Sequence, residues 1–261
     1  MPELPDVETV ARRLRRTVAG RRITAVRVLT PATVRSPHPR RFIRQLTGRI
    51  VRAVRRRGKY LLIEVTGPLT LIAHLRMTGD FEFVPRLSPV HPHTRVILRF
   101  ASRDLRFIDQ RRFGHMDLVP SAAEFAPVAR LGIEPLRASF TLARWNALLD
   151  GRRGTIKSLL LRQDLVAGIG NIYADEILWQ ARVHPGRPAH RLRPQDKAAL
   201  HRIIRRVLSR AVAQLSRYGR PVGRLLEVRG EPDLPCPRCG RAIAVARIAG
   251  RTTYFCRSCQ R

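Results

Sequence analysis

Four cysteines in the order Cys236, Cys239, Cys256, Cys259 end the chain in a Cys-x2-Cys, sixteen-residue, Cys-x2-Cys pattern, and no other cysteine is present among the 261 residues. Each Cys-x2-Cys pair can sit on a tight knuckle that points two thiolates at one ion, and four thiolates in tetrahedral array suit a single structural Zn2+ with no open position for chemistry. An iron centre or two local disulfides would use the same residues, but clustering of this kind in an intracellular chain favours metal. Between the pairs, Ala242–Ile248 and Thr252–Phe255 flank Gly250 and predict a β-hairpin. So small a module folds only around its metal. Its arginines 238, 241, 247, 251, 257 and 261 suit phosphates.

Upstream of this ribbon the pattern changes twice. Val7, Val10, Leu14 and Val18 recur at helical spacing, with Asp6 and Glu8 at the start and Gly20 as a stop, which predicts an amphipathic helix over 6–19. Over about 22–119, short runs rich in Val, Ile, Leu and Phe predict strands at Ile50–Val54, Tyr60–Val65, Leu69–Leu75, Phe81–Val84, Val96–Phe100, Leu105–Ile108 and Met116–Val119, hence a β-sandwich or barrel. From about 121 the chain reads as helical, at Leu142–Leu149, Lys157–Leu161, Ile172–Ala181 and Gln195–Leu215, followed by a Gly- and Pro-bearing linker over 216–235. The expected architecture is a multidomain α+β chain: a domain over 1–120, a helical domain over 121–218, and linker plus zinc ribbon over 219–261.

Fifty-one Lys and Arg against 19 Asp and Glu leave a formal charge of +32. A field of that sign gathers polyanions and speeds their association, so nucleic acid is the expected partner. An arginine-biased genome explains why only Lys59, Lys157 and Lys197 are lysines, but not the shortage of acids. No apolar run approaches a membrane span and the first residues lack a signal-peptide core, so a cytoplasmic, nucleoid-associated protein with no membrane partner is expected.

Six segments stand in a set order: PELPDVET at the start, RGKYLL at 57–62, HLRMTG at 74–79, DQRRFG at 109–114, GIGNIYADE at 168–176, and the terminal ribbon. Together they resemble the formamidopyrimidine-DNA glycosylase family across nearly the whole chain, and PELP with Met77 resembles its formamidopyrimidine branch. The resemblance implies an N-terminal helix on a two-layer β-sandwich, a helix–two-turn–helix domain and a zinc finger. It also implies a bifunctional glycosylase and abasic-site lyase of base excision repair that acts as a monomer on damaged double-stranded DNA.

On that resemblance Pro2, once Met1 is removed, is the nucleophile. A free α-amino group titrates at roughly 7.7–8.0, so an unprotonated fraction exists near neutrality to attack C1′ of a damaged nucleotide and form an iminium. Glu3 is then the general acid/base at the sugar, and Lys59, after the flexible Gly58, meets the lesion, its phosphate or the leaving base. Met77, Arg111 and Phe113 match the trio that fills the hole left by an everted base; without the motifs, Met77 and Phe113 would read as core residues. Asn171 caps the helix after the glycine turn, where backbone amides offer an anion site for a phosphate. Lys157, Arg251, Arg112 and His93 complete the expected DNA contacts.

Two departures from the family pattern stand out, of which the first bears on specificity. The stretch between the last long helix and the ribbon is about ten residues shorter than in relatives, within the spread of single-sequence boundaries, and that region covers a flipped 8-oxoguanine there. Arg162 stands where relatives usually carry Asp. Oxidised pyrimidines or hydantoins are therefore alternative substrates, and a non-catalytic damage-binding relative is the alternative function.

Overall fold

The structure, a computed structural model, describes residues 1–261 apart from 220–222, 224, 232 and 233. It divides into two compact units, one formed by Met1–Pro2 and Asp6–Arg130, the other by Glu3–Pro5 and Leu131–Arg261.

In the first unit, helix α1 (Leu4–Val18) turns Val7, Val10, Ala11, Leu14 and Val18 into a core also lined by strand residues such as Leu61, Ile63, Phe81, Val96, Leu105 and Met116. That five-residue stripe at three- and four-residue spacing is what makes the segment helical in context. The strands are β1 (Ala25–Val28), β2 (Val34–Ser36), β3 (Val51–Arg57), β4 (Tyr60–Val65), β5 (Leu69–His74), β6 (Gly79–Pro85), β7 (Thr94–Arg99), β8 (Arg103–Asp109) and β9 (His115–Val119). They form one sheet of order β1-β7-β8-β6 and a second of order β2-β9-β5-β4-β3, the expected two-layer sandwich.

All pairings in these sheets are antiparallel except β2 with β9. A register shift between Val51 and Ala53 lets β3 bury both Val51 and Val54, which strict alternation would place on opposite faces. Helix α2 (Pro39–Leu46) interrupts a region read as purely β: Pro39 opens it, the His38 ring accepts the Arg40 amide, and Phe42 and Leu46 are buried one turn apart.

The second unit is helical: α4 (Leu142–Leu149), α5 (Ile156–Leu161), α6 (Asn171–Gln180) and the long α7 (Pro194–Tyr218) surround a core with Trp145, Leu160, Tyr173, Ile177, Ile204 and Leu208. The short α3 (Ala126–Ala129) precedes it in the chain and puts Val128 against Leu62 and Ile72 of the first unit. Gly219, left-handed at φ 69°, ends α7. Strands β10 (Ala244–Ile248) and β11 (Arg251–Phe255) form the terminal hairpin. Among the described residues no helix is long and apolar enough to cross a membrane.

Candidate active site

In the first unit, Lys59 sits at the β3–β4 turn beside Gly58, whose φ of 55° favours a residue without Cβ. Lys59 is only 8% exposed, so this basic turn is not a solvated hairpin tip. The register then places Tyr60 opposite His74 and His74 opposite His115. The two imidazoles stack in parallel with centroids 5.5 Å apart, and the Tyr60 ring meets His74 edge-on at 4.8 Å.

Burial, then the charge of Arg76, the neighbouring His115, Lys59 and Arg35 push His74 down to about 3. Burial, Arg35 and Arg76 bring His115 to about 4, against a backbone contribution from Phe113 that favours protonation. Burial raises the Asp117 carboxyl, with Arg35 opposing. Near neutrality this corner therefore holds uncharged imidazoles among Lys59, Arg35 and Arg76, a setting that attracts an anion. His74 and His115 are absent from the expected site set. His74 opens the HLRMTG motif and His115 follows DQRRFG directly, which was the available signal.

Met77 and Phe113 are surface residues, 38% and 51% exposed, so they are not the core residues that composition alone would suggest. The Arg111 guanidinium lies 4.9 Å from the Phe113 ring centre. Arg76 and Arg112, each just before an exposed apolar residue, have left-handed φ of 54° and 58°. His93 is half-buried at the entry to β7; its carbonyl accepts the Asp109 amide at 2.9 Å, and its ring lies 3.4 Å from the Arg95 guanidinium.

In the second unit the turn before α6 is built around Glu3. Its carboxylate accepts the amides of Gly170 and Ile172 at 2.8 Å each and of Tyr173 at 3.2 Å. The Leu4 amide donates to the Gly168 carbonyl at 3.0 Å. Gly168 has φ 92° and would place a Cβ 2.7 Å from that of Leu4, and a Cβ on Gly170 would collide with the Glu3 carboxylate. Gln163 holds the turn from inside, accepting from Gly168 and donating to Ile169.

This corrects the sequence reading in two respects. The amides of Gly170, Ile172 and Tyr173 at the positive end of α6 are taken by the protein's own Glu3 carboxylate. The capping residue is Gly170, while Asn171 begins the helix and its side-chain amide donates to the Thr252 carbonyl at 2.9 Å.

Lys157 requires the third correction. Expected at a phosphate, it is fully buried, and its ammonium donates to Asp175 and Thr253 at 2.6 Å each. Burial lowers its pKa and raises that of Asp175, and the mutual ion pair opposes both shifts. The second Asp175 oxygen accepts from Arg229 at 3.1 Å and from the Tyr254 amide at 3.3 Å. Lys157 and Asp175 thus fasten hairpin strand β11 to α6. Arg251 is exposed at the start of that strand. Arg162 pairs on the surface with Asp164, two residues on.

The cysteines also converge as expected. All four Sγ atoms lie within 4.8 Å of one another, with Cys236–Cys259 at 4.0 Å and Cys239–Cys256 at 3.5 Å. A tetrahedral zinc with Zn–S bonds of ~2.3 Å requires sulfurs about 3.8 Å apart, whereas a disulfide needs about 2 Å, so the donor set fits one structural Zn2+. The Trp179 indole N–H donates to Cys236 Sγ at 3.4 Å, and Arg238 lies 4.1 Å over the same indole while donating to the Trp179 carbonyl at 3.0 Å.

Comparison with known proteins decides the family. Residues 1–116 match the formamidopyrimidine-DNA glycosylase N-terminal domain, 131–218 its H2TH domain, and 233–261 the zinc finger found in FPG and IleRS. The chain belongs to the formamidopyrimidine-DNA glycosylase family. The formamidopyrimidine-DNA glycosylase of Desulforamulus reducens is 40% identical over 275 residues, covering 100% of this chain and 99% of that one. That of Moorella thermoacetica is 43% identical over 260 residues, covering 95% of each. Among solved structures, Lactococcus lactis Fpg in complex with a Fapy-dG containing DNA superposes with a TM-score of 0.90 at 33% identity, over 99% of this chain and 100% of that one. The same enzyme with an abasic site containing DNA gives 0.90 at 32% identity over 99% of both chains. The glycosylase family thus accounts for the sandwich, the helical unit and the ribbon together.

Proposed function

We propose that this chain is a DNA glycosylase of base excision repair that also cleaves abasic sites, with the Pro2 amine as nucleophile after removal of Met1. The observation that carries this reading is the seat of Glu3: three backbone amides fix the carboxylate that directly follows Pro2. A carboxylate so held has its orientation set before substrate arrives.

The Pro2 nitrogen attacks C1′ of an everted nucleotide, forming the N–C1′ bond as the damaged base leaves with the glycosidic electron pair and takes up a proton. Opening of the sugar gives a charged iminium, with Glu3 carrying protons to and from the ring oxygen. The iminium accepts the electrons released when a proton leaves C2′, expelling the 3′-phosphate, and a second elimination expels the 5′-phosphate. Lys59 with its neighbouring arginines would hold the backbone at the lesion, and Met77, Arg111 and Phe113 would occupy the vacated stack. Arg112, His93, Asn171 and Arg251 would hold more distant phosphates, while zinc keeps the hairpin carrying Arg251 folded.

Formamidopyrimidines are the proposed substrates, with 8-oxoguanine second because the stretch before the ribbon is short; that stretch falls partly on 220–222, 224, 232 and 233, outside the described residues. The working division is 1–120, 121–218 and 219–261, in a monomeric, cytoplasmic, nucleoid-associated enzyme. Incubation with duplexes bearing formamidopyrimidine, 8-oxoguanine, dihydrouracil or an abasic site, followed by borohydride, tests the reading. The expected result is an adduct mapped to Pro2. Tight binding with neither adduct nor cleavage would leave a damage binder, and retention of Met1 in the active protein would exclude Pro2.

A further inference from the structure

The loops that present Met77 and Phe113 are joined through one buried carboxylate. Asp109, 0% exposed at the end of β8, accepts the Thr78 hydroxyl on one oxygen and the Gly114 amide, at 2.7 Å, on the other. The same Thr78 hydroxyl oxygen accepts the Arg111 amide at 3.1 Å. Thr78 directly follows Met77, and Arg111 and Gly114 lie on either side of Arg112 and Phe113. A Cβ on Gly114 would stand 2.6 Å from the Phe107 ring and 3.0 Å from the Asp109 carboxylate, so the loop is drawn down onto its anchor.

A second tie lies alongside. His74 Nδ1 accepts the Arg76 amide at 3.0 Å, shaping the left-handed turn before Met77, and His74 stacks on His115, two residues beyond Phe113. The Gly114–Asp109 bond is buried, the Thr78–Asp109 and Arg76–His74 bonds are half-buried and the Arg111–Thr78 bond is exposed; a fully buried carboxylate such as Asp109 is costly to leave unpaired, which ties both loops to it.

We infer that Thr78 and Asp109 are positioning residues that lock Met77, Arg111 and Phe113 into one rigid wedge, so that the three enter the base stack together. This rests on the void-filling role proposed above. It implies that the wedge is set before DNA binds and does not assemble upon it.

Thr78→Val tests the lock. It keeps the branched shape while removing both the donor to Asp109 and the acceptor for Arg111, and Thr78→Ser restores them. The probe is a duplex with a tetrahydrofuran abasic analogue opposite 2-aminopurine, whose fluorescence rises when the wedge unstacks it. Thr78→Val should blunt that rise and slow release of formamidopyrimidine from duplex DNA by about 10- to 100-fold, while cleavage of an abasic site in single-stranded DNA stays within about twofold. Thr78→Ser should recover the wild-type signal.

Wild-type behaviour of Thr78→Val, or an equal loss on the single strand, overturns the inference. Met77→Ala and Phe113→Ala separate the two layers of the argument. If neither changes the fluorescence, the void-filling reading itself fails. If both do and Thr78→Val does not, only the lock fails.

Discussion

The Glu3 carboxylate and the Gly170 amide are hydrogen-bonded at 2.8 Å although 167 positions separate them. The missing Cβ of Gly170 is what lets them meet. Gly170→Ala should displace Glu3 and lower borohydride-trapped adduct by about 100-fold, the cost of misplacing a reacting group by roughly 1 Å. Affinity for undamaged duplex should change little, because that binding comes from dispersed cations. Full adduct yield in this variant would show that Glu3 is not where the chemistry needs it.

Lys157→Met should leave the buried Asp175 with Arg229 and the Tyr254 amide as its partners among the described residues. Removing one partner of a buried ion pair costs about 3–5 kcal/mol, and replacing both by apolar residues restores much of it. Lys157→Met should therefore speed zinc release to a chromogenic chelator, with Lys157→Met/Asp175→Leu recovering most of the wild-type rate. If the single variant releases zinc at the wild-type rate, the ion pair does not hold the hairpin.

Acid should weaken the first unit through its stacked imidazoles. Unfolded histidines take up protons near 6.5, whereas His74 and His115 stay neutral in the fold down to about 3 and about 4. Below pH 6.5 the unfolded chain then binds more protons, so stability falls as the pH drops toward 4, by up to about 1.4 kcal/mol per pH unit per ring. Histidine ring chemical shifts give the direct check: both rings should remain unprotonated at pH 5. Protonation of either at pH 6 would contradict the assigned burial.

Chelation of zinc should unfasten the ribbon. Trp179 donates its indole N–H to Cys236, so its emission should shift as the metal leaves, and retention of abasic-site duplex should be lost in step as Arg251 loses its support. A Trp179→Phe variant should show the binding loss without the emission change. DNA retention undiminished after complete zinc removal would assign the ribbon no part in binding.

Much of the fold was legible because side-chain period and chain punctuation agree. β4 and α4 occur over the very residues read from the sequence, each bounded by turn or cap residues. Helix α2 was missed because two apolar anchors among arginines carry no visible period. The zinc ligands were legible since their spacing is itself the geometry. Lys157 was not, because a lysine in a cationic chain reads as surface until the fold brings Asp175 and Thr253 to it from 18 and 96 positions away. The seat of Glu3 was hidden for the same reason: the glycines of GIGN suggested an anion, and only tertiary structure reveals that the anion is the protein's own.

That seat has a consequence for incomplete chains. A polypeptide that stops short of α6 lacks the three amides that hold Glu3, the residue after the proposed nucleophile, however well its sandwich folds. Such a fragment would still be drawn to DNA by its arginines, yet on the proposed mechanism it would lack the scaffold for forming an iminium. Premature termination should therefore yield a protein that clings to the genome without nicking it.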